Sequence, residues 1–445
     1  MRSDIYQKKL DSLVAYFRSG ETKSSEFKLG LEVEHFVVDS NNLKAAPYYG
    51  SEGIEGILKC LEKKGWQGIY ENKKILGLKG EYADISLEPG GQLEISLQPL
   101  RTINEIKSIY IDFLEQAVPI IRSEGNILLT VGYQPESSID ELELLPKERY
   151  TYMYNYFKNK GEYAYNMMKG TASIQLNLDY CSEENFRKKM RVAYFLSPLI
   201  YFFFDNAPFF EGELCRDKNI RAIIWDNCDM DRCGFIESVF NENFGYQDYA
   251  EYILNTPAII TRNGDELTYV GSTAIKDVYG DTGFTEGQVE HLLSMVFPDV
   301  RLKKFIEIRM GDSLPYPYCL SYAVLWKGLL YNETILNSIY KLAGQFDIVD
   351  LSNIKEEIKE NGYKAIGYGR PLFDFMIDII NMASTGMDEE NLVYLNLIKE
   401  MLIKNKNPKQ KTIKQYMKNK NKQKSLHWCK LQEGVINVPG NTENV

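Results

Sequence analysis

Carboxylate and amide side chains recur in short strings of this sequence whose alternation of polar and apolar residues is typical of β-strands. The candidates for chemistry are Glu32, Glu34, Glu88, Glu94, Gln175 and Glu307. Polar residues two positions apart on a strand point to the same face of a sheet. Neighbouring glutamates on one face repel each other unless a cation neutralises them, and hard cations prefer carboxylate and amide oxygens. The sequence therefore predicts a basin that binds Mg²⁺ and could also accept Mn²⁺.

Arg309 stands two residues after Glu307 and shares its face on the predicted strand Val300 to Met310. Metal-bound acids beside an arginine suit phosphoryl transfer, in which Mg²⁺ ions bridge nucleotide phosphates and arginine offsets the charge on the transferred group. No P-loop motif and no GxGxxG motif follows a predicted strand, so carboxylate-bound metals would have to hold the nucleotide. Exposed strand faces are often polar without any function, so the prediction rests on the combination and not on one acid.

Four strand-like strings carry these residues and must position them. They are Phe27 to Val38, Asp84 to Gln98 around a Pro-Gly-Gly turn, Thr171 to Asp179 and Val300 to Met310. Helical patterns surround them at Ser3 to Ser19, Thr102 to Ser123, Val192 to Phe204, Cys319 to Asn337 and Asn353 to Lys404. This order predicts an α+β fold in which an antiparallel sheet, similar to that of glutamine synthetase, forms a concave metal and nucleotide basin flanked by helices.

The overall charge limits the class of partner. The 445 residues hold 52 Lys and Arg against 62 Asp and Glu, a net charge of −10, which argues against nucleic acid because phosphate binding needs a basic face. Small molecules are the expected partners. No membrane partner is expected, since the most apolar run, Val192 to Phe204, is shorter than the roughly 20 residues that span a bilayer. Scattered cysteines and an N-terminus without the apolar core of a secretory signal predict a cytoplasmic protein.

The charge distribution also suggests the domain organisation. No internal repeat or Pro/Ser-rich linker divides the first 400 residues, which predicts a single catalytic domain over residues 1–403. Nine lysines and no acid lie between Lys404 and Lys424, so residues 404–445 are predicted to form a basic C-terminal tail. A solvated helix or a disordered tail is the favoured interpretation, and docking on the acidic body of the protein is the alternative. No function is assigned to the tail.

Six of the strings are similar to motifs of a known family. They are GLEVEHF (Gly30 to Phe36), SLEPGGQLEIS (Ser86 to Ser96), LPKERYTYM (Leu145 to Met153), TASIQLNLDY (Thr171 to Tyr180), RAIIWDNCDMDRCG (Arg221 to Gly234) and FPDVRLKKFIEIR (Phe297 to Arg309). In this order and at these intervals they resemble the plant and proteobacterial branch of the glutamate-cysteine ligases. The resemblance runs from about Phe27 to about Tyr331 and continues more weakly through the helices that follow.

The resemblance implies ATP-dependent condensation of the γ-carboxyl of glutamate with the amine of cysteine through γ-glutamyl phosphate. It also implies roles for the residues that match the family's motifs. The implied roles are metal binding for Glu32, Glu34, Glu88, Glu94 and Glu307, catalysis for Glu94 and Arg309, nucleotide binding for Gln175 and Arg309, and substrate binding for Arg221, Arg262, Trp225 and Tyr150. The arginines suit substrate carboxylates because a planar guanidinium group grips a carboxylate with two hydrogen bonds.

The chain departs from the family's pattern at Ile223, at Asn227 and from Asp312 to Pro317. These segments could shape the pocket for the amine, so the acceptor is less certain than the glutamyl donor. A γ-glutamyl ligase that uses another amine is therefore an alternative. A non-catalytic protein that binds nucleotide or glutamate is a further alternative, because a fold does not fix a function. The presence of all the candidate acids and of Arg309 argues against it.

Overall fold

The computed structural model describes residues 2–432, in which helices alternate with strands that pair mostly antiparallel. The strands are β1 (Leu29–Asp39), β2 (Gln67–Glu71), β3 (Lys74–Lys79), β4 (Ala83–Leu87), β5 (Leu93–Leu97), β6 (Asn126–Leu129), β7 (Ser173–Leu178), β8 (Phe209–Phe210), β9 (Glu213–Leu214), β10 (Cys233–Gly234), β11 (Pro257–Asn263), β12 (Glu266–Ala274), β13 (Phe297–Pro298), β14 (Val300–Leu302), β15 (Ile306–Asp312), β16 (Ile366–Gly367) and β17 (Arg370–Pro371). The helices are α1 (Arg2–Arg18), α2 (Ile54–Glu62), α3 (Ile103–Ser123), α4 (Glu148–Phe157), α5 (Ala164–Gly170), α6 (Glu183–Phe203), α7 (Ile220–Asp226), α8 (Tyr246–Asn255), α9 (Glu286–Leu293), α10 (Tyr318–Leu330), α11 (Glu333–Ala343), α12 (Ile348–Asn361), α13 (Leu372–Ala383), α14 (Glu389–Asn405), α15 (Pro408–Asn419) and α16 (Lys422–Ser425). The predicted α+β class is confirmed.

Nine strands form one antiparallel sheet that positions the polar residues. Its order is β14-β15-β7-β1-β5-β4-β3-β2, and β6 pairs with the far end of β1. The sheet is open, with β14 and β2 at its edges. In this register Glu34 lies opposite Glu94, and Glu32 lies opposite Gln175. Since side chains alternate between faces, the predicted acids of three strands come together on one side of the sheet.

The opposite face of the sheet is apolar and covered by helices. Leu31, Val33, Ile95, Ile174 and Ile308 are fully buried in the hydrophobic core. Helix α3 contacts β5, α6 contacts β15, and α10 contacts β1. The sharp division between a polar and an apolar face follows from the strict alternation in the sequence.

Several predicted elements are confirmed at nearly the same bounds. The strand predicted from Phe27 is β1, the Pro-Gly-Gly turn joins β4 to β5, and the third predicted strand is β7. Helix α3 begins where Thr102 and Glu105 form a reciprocal capping box, which satisfies backbone N–H groups that the first turn leaves free. The apolar run from Val192 belongs to the buried helix α6. Between residues 2 and 432 no helix is long and apolar enough to cross a membrane.

One prediction of element bounds is wrong. The single strand predicted from Val300 to Met310 is the hairpin β14–β15, which places Arg301 directly opposite Glu307. The turn has no Gly or Pro, so the sequence pattern did not indicate it. The helical segments predicted at Cys319 to Asn337 and Asn353 to Lys404 contain five helices, α10 to α14. The first break is at Asn332, whose side chain accepts hydrogen bonds from the first turn of α11.

The lysine-rich C-terminal segment, residues 404–432, packs on the body of the protein along one side, while lysines such as Lys404 and Lys418 stay exposed. Within α15 the side chains of Pro408, Lys409 and Thr412 are buried. Further on, the backbone N–H of Leu431 donates to the carbonyl of Leu128 in β6 at 2.9 Å. The less favoured interpretation, docking on the body of the protein, therefore describes this segment. The division into domains at residue 403 stays a prediction.

Candidate active site

A cavity of about 360 Å³ lies over the polar face of the sheet, beneath helices α4, α5 and α7. The structure brings ten of the eleven predicted site residues to its wall. They are Glu32, Glu34, Glu88, Glu94, Tyr150, Gln175, Arg221, Trp225, Glu307 and Arg309. The sheet supplies most of the acids, while α4 supplies Tyr150 and α7 supplies Arg221 and Trp225. Acids and arginines thus share one enclosed space.

Glu34 is buried in the middle of the polar face and is held by strand β7. Its carboxylate accepts hydrogen bonds from the Ser173 backbone N–H at 2.7 Å, the Ser173 hydroxyl at 2.9 Å and the Gln175 side-chain amide at 3.0 Å. Burial and the charges of Glu88 and Glu94 raise its pKa to about 8. No cation forms an ion pair with it within the described chain, so its charge is left for a ligand to neutralise.

Glu94 and Glu32 are held in the same way, by neutral donors. The hydroxyls of Ser86 and Ser96 donate to Glu94 at 2.9 and 3.0 Å. The side-chain amide of Asn177 donates to Glu32 at 2.7 Å. Burial raises the pKa of each carboxyl to about 7, helped by Glu88 for Glu94 and by Glu94 for Glu32. Repulsion among these acids is the cost that a bound cation would remove.

Glu307 differs from the other acids because three cations surround it. Arg301 donates from Nε at 2.5 Å and from Nη2 at 2.9 Å, and Lys303 and Arg309 each donate at 3.0 Å. Burial alone would raise its pKa, but these three charges outweigh burial and hold the pKa well below the ordinary value. Glu307 is therefore a firmly ionised anchor whose two oxygens are already engaged.

Arg309 links this anchor to strand β7. Its Nη1 donates both to Glu307 and to the side-chain oxygen of Gln175, the latter at 2.5 Å. The guanidinium carbon lies 5.9 Å from the centre of the Trp225 ring. Two of its neighbours thus fix the orientation of Arg309 within the cavity.

Arg221 also lies near the Trp225 ring, with its guanidinium carbon 5.6 Å from the ring centre. Its Nη1 donates to the carbonyl of Arg309 at 2.9 Å, and its Nε lies 3.9 Å from Asp312. That Nε is buried and has no hydrogen-bond partner within residues 2–432. A buried guanidinium with an unused donor is suited to binding a carboxylate.

The sequence analysis missed four cations of the cavity: Arg301 and Lys303, which pair with Glu307, and Lys147 and Arg149. Arg149 donates from Nη2 to the carbonyl of Ser294 at 2.8 Å, and its buried Nε has no partner in the described part of the chain. Burial lowers the pKa of Lys147 and of Arg149 below the ordinary value, and the charge of Glu88 offsets only part of this shift. Both belong to the string LPKERYTYM, in which only Tyr150 was singled out. A basic pair at the start of a helix beside a predicted anion site was the available signal.

Arg262 is the one predicted site residue that the structure does not bring to the cavity. It lies near the turn of the hairpin β11–β12, where its Nε donates to the carbonyl of Gly264 at 2.9 Å. About half of the side chain (52%) is exposed. A hairpin tip projects its side chains toward solvent, so the predicted grip on a substrate carboxylate is not supported by this position.

The charges of the site define what it can hold. Glu32, Glu34 and Glu94 offer hard oxygen donors with unneutralised charge, which suits Mg²⁺ or Mn²⁺. As the residues stand, no three His, Cys, Asp or Glu side chains between residues 2 and 432 form a group in position to hold a metal ion. Arg149, Arg221 and Arg309 line the same cavity and suit anionic substrates. The arrangement is therefore chemically suited to an anionic substrate whose charge a divalent cation shares.

Comparison with known proteins identifies relatives of this chain. The model of glutamate-cysteine ligase family 2 (GCS2) matches residues 28–361. Chloroplastic glutamate–cysteine ligases are 30% identical in Brassica juncea and 29% identical in Arabidopsis thaliana. Each alignment spans 417 residues and 91% of this chain, and it covers 80% and 79% of the relatives, respectively. A crystal structure of Francisella tularensis glutamate–cysteine ligase with AMP has a TM-score of 0.54 at 12% identity, covering 91% of this chain and 87% of that one, so the two share a fold.

The same comparison corrects one prediction. A cytoplasmic location was inferred from scattered cysteines and from the lack of a secretory signal. This prediction is wrong, because the relatives in Brassica juncea, Arabidopsis thaliana and rice are chloroplastic enzymes. An N-terminus without a secretory signal carries no information about organelles that use other import signals.

Proposed function

The chain belongs to glutamate-cysteine ligase family 2, and from this premise we propose that it uses ATP and a divalent cation to join L-glutamate to L-cysteine through γ-glutamyl phosphate. The family confirms the resemblance stated from the motifs and the prediction that the chain is a ligase. The products are γ-glutamylcysteine, ADP and phosphate, so the reaction is the first step of glutathione-type thiol synthesis.

One observation carries the proposal: carboxylates without cationic partners face ordered arginines across a single cavity. Glu32, Glu34 and Glu94 form the acidic side, and Arg309 and Arg221 form the basic side. A nucleotide polyphosphate with its divalent cation complements both sides at once. The AMP in the Francisella tularensis structure is consistent with a nucleotide site in this fold.

The acids of β1 and β5 are assigned to the metal. Glu32, Glu34 and Glu94 would hold Mg²⁺, or Mn²⁺ in its place, with Glu88 as an adjacent donor. The bound cation would neutralise phosphate charge and relieve the repulsion that raises the pKa values of these carboxyls. Glu307 has both oxygens in ion pairs, so its role is to fix Arg309 and not to serve as a free metal ligand.

The side chains of the cavity give each substrate group a partner. Arg309 and Gln175 face the transferred phosphoryl group, whose charge Arg309 offsets. Arg221 binds a carboxylate of glutamate through its guanidinium group, which lines the cavity. The γ-carboxylate of glutamate attacks the terminal phosphorus of ATP in line and releases ADP. The unprotonated amine of cysteine then attacks the acyl phosphate and releases phosphate. Trp225 and Tyr150 line the cavity beside these groups.

The test measures ADP release and γ-glutamylcysteine formation with purified protein, ATP, glutamate, cysteine and Mg²⁺. Turnover should require every component, should stop with excess EDTA and should return with Mg²⁺ or Mn²⁺. Glu32→Gln should lower turnover by about 100-fold or more, because it removes a metal ligand. The matched control Glu266→Gln changes an exposed glutamate of β12 and should leave turnover unchanged. Undiminished turnover in EDTA would refute the metal assignment, and a lack of dependence on glutamate would refute the proposed reaction.

A further inference from the structure

Lys409, in the lysine-rich segment that the proposed reaction does not use, is buried deep in the protein. Its Nζ donates to the carbonyl of Asp217 at 2.6 Å and lies 3.3 Å from both Asp205 Oδ2 and Cys215 Sγ. Its backbone N–H also donates to the carbonyl of Asp205 at 2.9 Å. Lys409 and Asp205 form an ion pair in which each side chain is only 3% exposed. A lysine buried to this extent is rare unless the position requires its charge.

Asp205 in turn fixes the beginning of helix α7. Its Oδ2 accepts the backbone N–H of Asn219 at 3.1 Å, and its Oδ1 accepts that of Ala207 at 3.0 Å. Asn219 is the N-cap of α7 and has a left-handed backbone, with φ of 70°. A non-glycine residue in this conformation is held there by its surroundings, and Asp205 supplies one of the contacts.

Helix α7 carries Arg221 two residues after this cap. A second path reaches the same arginine, because the backbone N–H of Asn206 donates to Asp312 Oδ2 at 2.7 Å and Asp312 Oδ1 lies 3.9 Å from Arg221 Nε. Lys409, Asp205, Asp312 and Arg221 are thus four buried charges in one connected network. Burial raises the pKa of Asp205, and the charge of Lys409 opposes that shift. Removing Lys409 would leave Asp205 without the cation that keeps it ionised.

We propose that Lys409 is a positioning residue for Arg221: through Asp205 and the cap of α7 it sets where the guanidinium faces the cavity. This inference rests on the proposed role of Arg221 in binding glutamate. It gives the lysine-rich segment a function in substrate affinity, although none of its residues lines the cavity. The lysine acts at a distance, so its removal should change affinity for glutamate and not for ATP.

The test compares Lys409→Met with Lys411→Met. Lys411 lies on the same helix, with its Nζ 3.9 Å from the centre of the Trp428 ring, and within residues 2–432 the ion pair of Asp205 is made by Lys409. Lys409→Met should raise the KM for glutamate about tenfold and leave the KM for ATP within about twofold. Lys411→Met should leave both KM values unchanged. If the role of Lys409 were merely structural, Lys409→Met would lower the fraction of active protein. The measured kcat would then fall while both KM values stay unchanged, and that result would overturn the proposal.

Asp205→Asn gives a second route to the same answer if Lys409→Met does not fold. It keeps the shape of the side chain and removes the charge that Lys409 pairs with, so it should produce the same selective rise in the KM for glutamate. Binding of L-glutamate, measured by calorimetry without ATP, is a readout that does not need turnover. Wild-type protein that neither turns over nor binds glutamate would refute the proposed function. Wild-type activity together with unchanged glutamate affinity in both variants would refute the role of Lys409 alone.

Discussion

Replacing Glu94 by glutamine should stabilise the ligand-free protein while abolishing most of its activity. Glu94 is buried, and its hydrogen bonds come from the hydroxyls of Ser86 and Ser96, which can also donate to the amide oxygen of glutamine. The substitution therefore keeps the packing and both hydrogen bonds, and it removes a charge that folding must take out of water.

The magnitude follows from the pKa of Glu94, which burial and the charge of Glu88 raise from 4.5 to about 7. An acid with a raised pKa holds its proton more tightly in the folded state, so the folded state loses stability as pH rises from 4.5 through 7. At 1.36 kcal/mol per pH unit, the loss reaches about 3 kcal/mol above pH 7. Glu94→Gln should therefore raise the free energy of unfolding by up to about 3 kcal/mol at pH 8 and by less than about 1 kcal/mol at pH 5.

Urea unfolding of wild type and variant at pH 5 and pH 8, without metal or substrate, measures this difference. Glu266→Gln, on the exposed strand β12, is the control and should change the free energy of unfolding by less than about 0.5 kcal/mol at both pH values. Adding Mg²⁺ at pH 8 should stabilise the wild type more than Glu94→Gln. A variant that is less stable than wild type at pH 8, or equally stabilised at both pH values, would show that the charge of Glu94 does not destabilise the folded state.

Three further results are expected. Arg221→Lys should raise the KM for glutamate by at least about tenfold with little change in the KM for ATP, since lysine cannot make a two-pronged contact. Equal rises in both KM values would show that Arg221 binds the phosphates of ATP instead. Arg301→Met should lower the free energy of urea unfolding by about 3 kcal/mol at pH 7. The loss should shrink below pH 4.5, because the depressed pKa of Glu307 contributes stability only where Glu307 is ionised in the unfolded chain. Serine should replace cysteine with a catalytic efficiency (kcat/KM) about 10- to 200-fold lower, a modest ratio that is typical of near-isosteres. An unrelated amine with a higher kcat/KM than cysteine would show that cysteine is not the true acceptor.

The parts of the fold that sequence reasoning predicted correctly are those with strict local alternation. Strand β7 separates Ser173, Gln175 and Asn177 from Ile174 and Leu176, and this pattern alone determines which face meets the core. The register that brings Glu34 opposite Glu94 depends on strand order, which no local pattern encodes. The strand patterns supplied the candidate acids as well as Gln175 and Arg309, and the family motifs added Arg221, Trp225 and Tyr150, which lie on helices away from the sheet.

Each prediction that the structure does not support can be traced to particular residues. The turn after Leu302 contains Lys303 and Lys304 where glycine or proline would have marked a hairpin, so the Arg301–Glu307 ion pair was not foreseen. Arg262 was given a substrate-binding role on the family resemblance, and its position at a hairpin tip depends on tertiary structure. The lysine-rich segment appeared solvated because charge density was counted over the whole run. Only one side of α15 packs, through residues such as Pro408 and Thr412.

The central position of β1 has a consequence for the synthesis of the protein. Strand β1 ends at residue 39, and its neighbour β7 is complete only at residue 178, a separation of 178 − 39 = 139 residues. At about 5–20 residues per second, the ribosome needs about 7–28 seconds to produce that partner. During this interval β1 can pair with β5 and β6, but its edge over Leu29–Val33, which later pairs with β7, exposes unpaired backbone groups that invite aggregation. A chaperone that shields that edge should therefore raise the yield of folded protein, and the yield should depend on translation speed as well as on the stability of the finished protein.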